Sequence, residues 1–200
     1  MKSSHIKAAF YLLLWGITLS LHAQSSSPRF EHLSVEQGLS HHNVSCMVQD
    51  DQGFLWFGTV DGLNRYDGHS FKVFRNDPLD PNSISNNNIQ QIIKSEARGE
   101  QLLWIGTRFG LNKLNLRTEQ FTSYIDSSGE SDIRSKNIIK GNVIYDLAED
   151  SSGNTWLATG NGLKMFKPET GQMTQIITDR ILNQVCFDRN GMLWIGLMGS

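Results

Sequence analysis

Adjacent His41 and His42, with His32, His69 and Asp50 as more distant donors, are the residues whose types could hold a transition metal. Their spacing opposes it: a tight site needs three or four donors converging on one ion, and neither an HExxH motif nor a CxxC pair occurs. The carboxylate pairs Asp50-Asp51 and Glu149-Asp150 could serve acid–base chemistry or bind calcium. Both fall where turns are expected, no EF-hand spacing surrounds them, and no nucleophile completes a catalytic set. Neither GxxxxGK[ST] nor GxGxxG is present, so ATP chemistry has no cradle here. The expectation is a chain with no catalytic residue, no metal ligand and no cofactor.

The chemistry that remains is hydrogen bonding and stacking. Three polar loops carry it: Leu39-Ser40-His41-His42-Asn43, Pro81 through Asn86, Asn87 and Asn88, and Arg134 through Asn142. Asparagine and serine can bind sugar hydroxyls, and the same residues also build turns by satisfying their own backbone. Between the pieces of a repeated frame, Val60-Asp61, Arg108-Phe109 and Gly160-Asn161 vary. Arg108 offers a forked donor and Phe109 an apolar face, which suits a carbohydrate or a peptide, although ordinary surface variation reads the same way. The candidate contact set is His41, His42, Asn86, Asn87, Arg108, Phe109 and Asn161.

The elements that must position these residues follow from the tryptophans. Of five, Trp15 stands apart, while Trp56, Trp104, Trp156 and Trp194 are separated by 48, 52 and 38 residues. Each sits in a matching pentapeptide: Leu55 to Thr59, Leu103 to Thr107, Thr155 to Thr159 and Leu193 to Leu197. A small residue follows the tryptophan two places on, at Gly58, Gly106, Ala158 and Gly196. A second step begins at Gly62, Gly110 and Gly162, each followed by leucine. Asp50 to Gly53, Asp150 to Gly153 and Asp188 to Gly191 supply turn chemistry before the tryptophan, and the second copy departs with Ala97 to Gln101.

The apolar runs between these turns are short and alternate, so each copy reads as four strands. No long helical period appears beyond the first 23 residues. Four short antiparallel strands recurring about every 46 residues are the arithmetic of propeller blades. The fold expected is therefore an all-β propeller of four-stranded antiparallel blades, about three of them full and a fourth begun. The blades are expected near 43–74, 89–124, 143–177 and 184–200. The tryptophans then fill the space between blades, and the glycines allow close backbone approach. The strand count suggests part of a longer ring, with Arg29 to Leu33 as a candidate outer strand for its final blade.

Composition bounds the class. With 38% hydrophobic residues and a net charge of −2, the chain can form a core and offers no electrostatic footprint for nucleic acid. Lys2, Lys7, an apolar stretch from Ala8 to Leu21 and the ending Leu21-His22-Ala23 read as a signal peptide over 1–23. The stretch is shorter than the roughly 20 residues of a membrane-spanning helix. Residues 24–200 are then an exported portion of a propeller. Cys46 and Cys186 each lie in an apolar run and are expected to be free and buried rather than paired.

The run Asn43-Val44 leading to Asp50-Asp51-Gln52-Gly53-Phe54-Leu55-Trp56-Phe57-Gly58-Thr59-Val60-Asp61-Gly62-Leu63-Asn64-Arg65-Tyr66-Asp67, with Leu39-Ser40 before it, resembles the regulator-propeller repeat of bacterial sensor proteins. Through its less regular later copies the resemblance extends over Phe30 to Gly196. It implies the N-terminal periplasmic part of a hybrid two-component sensor histidine kinase of the Bacteroides type, anchored in the inner membrane. It also implies further propeller and sensor domains downstream, kinase chemistry outside these residues, an oligosaccharide ligand and a homodimer in the full-length protein. Two other functions stay open: a non-sensory protein-binding or assembly propeller, and a glycoside-processing propeller enzyme.

Overall fold

A computed structural model describes residues 30–96, 101–124 and 143–199. The expected signal peptide and the loop from Arg134 to Asn142 lie outside the described residues. Among those described, no helix is long and apolar enough to cross a membrane.

In the unit that begins at Leu33 the described residues form fourteen strands. The first sheet holds β1 (Val44–Gln49), β2 (Leu55–Thr59), β3 (Gly62–Tyr66) and β4 (Phe71–Phe74). The second holds β5 (Ile89–Lys94), β6 (Leu102–Thr107), β7 (Gly110–Asn115) and β8 (Gln120–Tyr124). The third holds β9 (Ile144–Glu149), β10 (Thr155–Thr159), β11 (Gly162–Lys167) and β12 (Gln172–Ile177), and β13 (Leu182–Phe187) pairs with β14 (Leu193–Leu197). Every sheet is antiparallel, its strands neighbouring one another in chain order. This is an unclosed propeller of three four-stranded sheets and a two-stranded one.

Local chemistry explains the repeated turns. Asp50 Oδ1 accepts the amides of Gln52 (2.9 Å) and Phe54 (3.0 Å), and Asp150 and Asp188 do the same for the turns before β10 and β14. At the other end, Thr59 Oγ1 donates to the Gly62 carbonyl (3.0 Å) and accepts the Asp61 amide (3.0 Å). Thr107 and Thr159 repeat that turn with Phe109 and Asn161. A one-turn 3-10 helix, Val35–Gln37, was not expected; Ser34 and Gln37 close it with a capping box. Phe30 to Leu33 form no strand, so the candidate outer strand is not seen there.

The sheets pack in succession: β1 lies against β5, β5 against β9 and β9 against β13. Trp56 and Leu63 of the first sheet meet Ile89, Ile92, Leu103, Leu114 and Phe121 of the second. Trp104 and Leu111 meet Ile144, Leu147, Leu157 and Phe166 of the third in the same way. Trp56 and Trp104 are thus each covered by the sheet that follows their own. A Cβ at Gly58 would lie 2.7 Å from Ile89 Cγ2, and one at Gly106 2.7 Å from Ile144 Cγ2. The small residue after each tryptophan therefore seats the first residue of the next innermost strand.

This directional covering makes burial uneven. Trp56 and Trp104 are each 1% exposed, Trp156 is half-buried under a two-stranded sheet, and Trp194 is 58% exposed because no later sheet lies over it among the described residues. The opposite face of the first sheet shows the counterpart. Met47 is 67% exposed there, whereas Ile92, in the same register of the second sheet, is 3% exposed.

Side chains also tie successive innermost strands. Asp146 on β9 accepts from Gln91 Nε2 on β5 (2.6 Å) and from the Val185 amide on β13 (2.9 Å). Ser45 Oγ donates to the Ile89 carbonyl (2.7 Å), and Glu119, at φ 57°, receives Arg65 and Lys72 of the first sheet.

The cysteines are free, and the expectation of burial needs correction. Cys186 is exposed: it pairs with Trp194 across the β13–β14 ladder and shares its uncovered face. Cys46 is half-buried, and burial pushes its thiol up to about 11. At about pH 8, on the order of a thousandth of Cys46 is then thiolate. Iodoacetamide followed by peptide mass mapping is expected to modify Cys186 first and Cys46 far more slowly; equal rates would refute the burial of Cys46.

Candidate functional site

Antiparallel pairing gathers the candidate contact residues at one end of the sheets. Val44, Thr59 and Gly62 are in register across β1, β2 and β3, as are Ile89, Thr107 and Gly110 in the second sheet. The loop entering each innermost strand therefore lies beside the β2–β3 or β6–β7 turn. His41, His42, Asn86, Asn87, Arg108, Phe109 and Asn161 all belong to such loops and turns. Backbone bonds join them, from the Gly62 amide to the Asn87 carbonyl (2.8 Å) and from the Arg108 amide to the Asn88 carbonyl (3.1 Å).

Within this cluster the side chains divide by task. Asn86 Oδ1 accepts the Asn88 amide (2.9 Å) and Asn87 Oδ1 the Asn76 amide (2.6 Å), which is turn construction. His41 and His42 stack with ring centroids 4.2 Å apart, and His41 Nδ1 accepts the Asn43 amide (3.0 Å). Arg108 and Asn161 are exposed, while Phe109 is half-buried. No group of three or more His, Cys, Asp or Glu able to hold a metal occurs among the described residues.

A repeated latch beneath these loops was not anticipated. The Ser40 amide donates to Asn64 Oδ1 (2.8 Å), Asn64 Nδ2 donates to Ser40 Oγ (2.8 Å), and Ser40 Oγ meets Thr59 Oγ1 (2.8 Å). Ser85, Asn112 and Thr107 repeat it in the second sheet. Its signal was available in the sequence of the first two copies: serine four residues before the innermost strand, and asparagine after the Gly-Leu step. Buried Lys164 stands at the asparagine position of the third copy. The latch fixes the loops entering β1 and β5 to their own sheets, so their varied tips project from a rigid base.

The carboxylate pairs are structural in their surroundings. Asp50 Oδ2 accepts the Trp56 indole N–H (2.8 Å), Asp51 pairs with Lys94 (2.8 Å), and Glu149 accepts from Ser95 Oγ (2.6 Å). Asp150 accepts the Trp156 indole (2.9 Å), as Asp188 accepts that of Trp194 (3.1 Å). Burial alone would raise Asp150, but the bonds from Trp156, Asn154 and Ser152 outweigh it and hold the carboxyl below its ordinary value. At Asp188 the Met192 amide, then the Trp194 indole, act in the same direction.

A carboxyl lowered in the fold stabilises it fully above the unfolded-state value, about 3.9, and loses that contribution as pH falls through the folded-state value. Thermal unfolding is therefore expected at lower temperature as pH drops from about 5 to about 3, with Asp150→Asn removing part of the pH dependence. A melting temperature that stays constant over this range would sink the assignment.

Comparison with known proteins places this architecture. Residues 38–61 and 138–161 match the sequence model of the two component regulator propeller family. Over 69 residues, 34% of this chain, it is 48% identical to histidine kinase P4 of Formosa agariphila, of which the match covers 5%. In fold it resembles the extracellular domain of a protein assigned as a hybrid two component system of B. thetaiotaomicron. That likeness has a TM-score of 0.55 at 24% identity and covers 84% of this chain and 29% of the other. The chain thus spans less than a third of either relative.

Proposed function

Because the chain carries regulator-propeller repeats, we propose that it is the sensing scaffold of an extracytoplasmic two-component receptor. The chain would detect an oligosaccharide and pass the signal to kinase domains elsewhere in the full-length protein. The observation that carries this reading is the 48% identity over 69 residues to a histidine kinase. The latched loop end supports it: projecting Arg108 and Asn161 with the half-buried face of Phe109 combine forked donors, amides and an aromatic surface, the groups that bind sugar hydroxyls and cover sugar C–H faces. His41 and His42 border that end, and Asn86 and Asn87 shape it. A rigid base keeps the ordering cost of binding low. Further propeller blades, a periplasmic location and a homodimer belong to the same proposal.

The test is calorimetric titration of the complete extracytoplasmic region against a defined glycan panel. Arg108→Ala is expected to weaken the responding glycan about tenfold, the loss of one charge-assisted hydrogen bond. Unchanged affinity would remove Arg108 from the contact set, and no binding by any panel member would overturn the oligosaccharide reading.

A further inference from the structure

At the end of the sheets opposite the candidate loops, a cavity of about 460 Å³ opens between the second and third sheets. Ser95, Leu102, Trp104 and Lys113 line it from one side, and Ser152 to Asn154 with Lys167 to Glu169 from the other. The volume lies within the range of small-ligand sites, about 300–1,000 Å³.

Its innermost group is the Trp104 indole, 1% exposed. In the other three copies the indole N–H donates to an aspartate six residues earlier, Asp50, Asp150 or Asp188, at 2.8, 2.9 and 3.1 Å. Each of those aspartates also donates its own amide across the turn, to Phe54, Asn154 or Met192. In the second copy Ser95 takes that backbone place, its amide donating to the Leu102 carbonyl (3.2 Å), while its hydroxyl is turned to Glu149 of the next sheet. Among the described residues no acceptor meets the Trp104 N–H, and the one sealed polar side-chain atom without a partner is Thr155 Oγ1. The indole N–H is therefore buried yet open to the cavity.

We infer that this cavity binds a sugar acid, whose carboxylate takes at Trp104 the place that an aspartate takes at the other tryptophans. The Lys167 ammonium group flanks that carboxylate. Asn154 and Ser152 hydrogen-bond the ligand's hydroxyls. Leu102 and Pro168 supply the apolar wall a sugar ring needs. The choice of a sugar over other small carboxylates rests on the saccharide reading above, whereas the carboxylate requirement does not. None of the loop-end contact residues takes part.

The test follows the Trp104 indole N–H resonance of the ¹⁵N-labelled chain during titration with glucuronate, glucose and acetate. Glucuronate is expected to move that resonance saturably and ahead of the other indoles, with glucose leaving it in place and acetate acting only at much higher concentration. Lys167→Met, at an exposed position, is expected to weaken glucuronate about tenfold. A Trp104 signal that does not respond to glucuronate, or responds equally to glucose, overturns the site; if the glycan panel still binds, the receptor reading stands without it. Acetate matching glucuronate overturns the sugar requirement, as unchanged affinity in Lys167→Met overturns the ion pair.

Discussion

Trp104→Ala is expected to lower the unfolding free energy by about 3–5 kcal/mol, and Trp194→Ala to change it by no more than about 0.5 kcal/mol. The two residues hold equivalent places in their copies and differ in what covers them. Trp104 lies edge-on to Phe166 at 5.6 Å and near Tyr124 at 6.2 Å, inside a cluster closed by Ile144, Leu147 and Leu157. Truncation there removes most of a large side chain and leaves a cavity between two sheets that the Gln91–Asp146 bond ties together. Trp194 is 58% exposed and gives up little. Urea unfolding followed by circular dichroism measures both, and a Trp104→Ala loss below about 1 kcal/mol would refute the packing assignment.

Gly162→Ala is the second large effect, expected to cost about 3 kcal/mol or more. Gly162 opens β11 at φ 114°, a conformation that side chains avoid, and an added Cβ would overlap the Ile177 carbonyl oxygen. That oxygen also accepts from Gln175 Nε2, so the outer strand β12 would have to shift and release the bond. Gly171, in the β11–β12 turn, is the internal control. Its φ is also positive, at 68°, but a Cβ there meets nothing within 4 Å, so Gly171→Ala is expected to cost about 1 kcal/mol or less. Similar losses in the two variants, read from the same urea curves, would show that overlap with β12 is not what fixes Gly162.

Much of the fold was legible because the repeat is written in residues that act locally. An aspartate before a glycine turn, a tryptophan six residues on and a Gly-Leu step each specify a turn or a strand without distant partners. What escaped was information carried between copies. Asp146 joins partners 55 residues before it and 39 after it, and no local pattern marks that. In each innermost strand the pairing slips by one residue, between Val44 and Cys46, Ile89 and Gln91, Ile144 and Asp146, and Leu182 and Gln184. These bulges leave the apolar pattern unchanged, so they do not announce themselves.

The Cys186 expectation failed for a related reason. An apolar run implies two buried faces, but among the described residues β13 has a neighbouring sheet on one face and none over the face that carries Cys186 and Trp194. At the candidate site the loops were legible as a set because topology puts them at one end. The division between turn builders such as Asn86 and projecting groups such as Arg108 depends on individual hydrogen bonds. The departure of the second copy from the aspartate turn was equally visible in the sequence; its meaning required the cavity beside Trp104.

The one-way covering of the tryptophans also imposes an order on how the molecule is assembled. A ribosome releases the N-terminal sheets first, and each sheet can pair its own strands as soon as it emerges, since all its ladders join neighbours in sequence. Its tryptophan stays wet until the following sheet is made. Maturation therefore trails synthesis by one repeat, with a moving front at which a single indole and its small neighbour await their lid. A pause in translation anywhere along the array would expose the same short apolar surface each time, offering chaperones one recurrent target rather than a different one at every length.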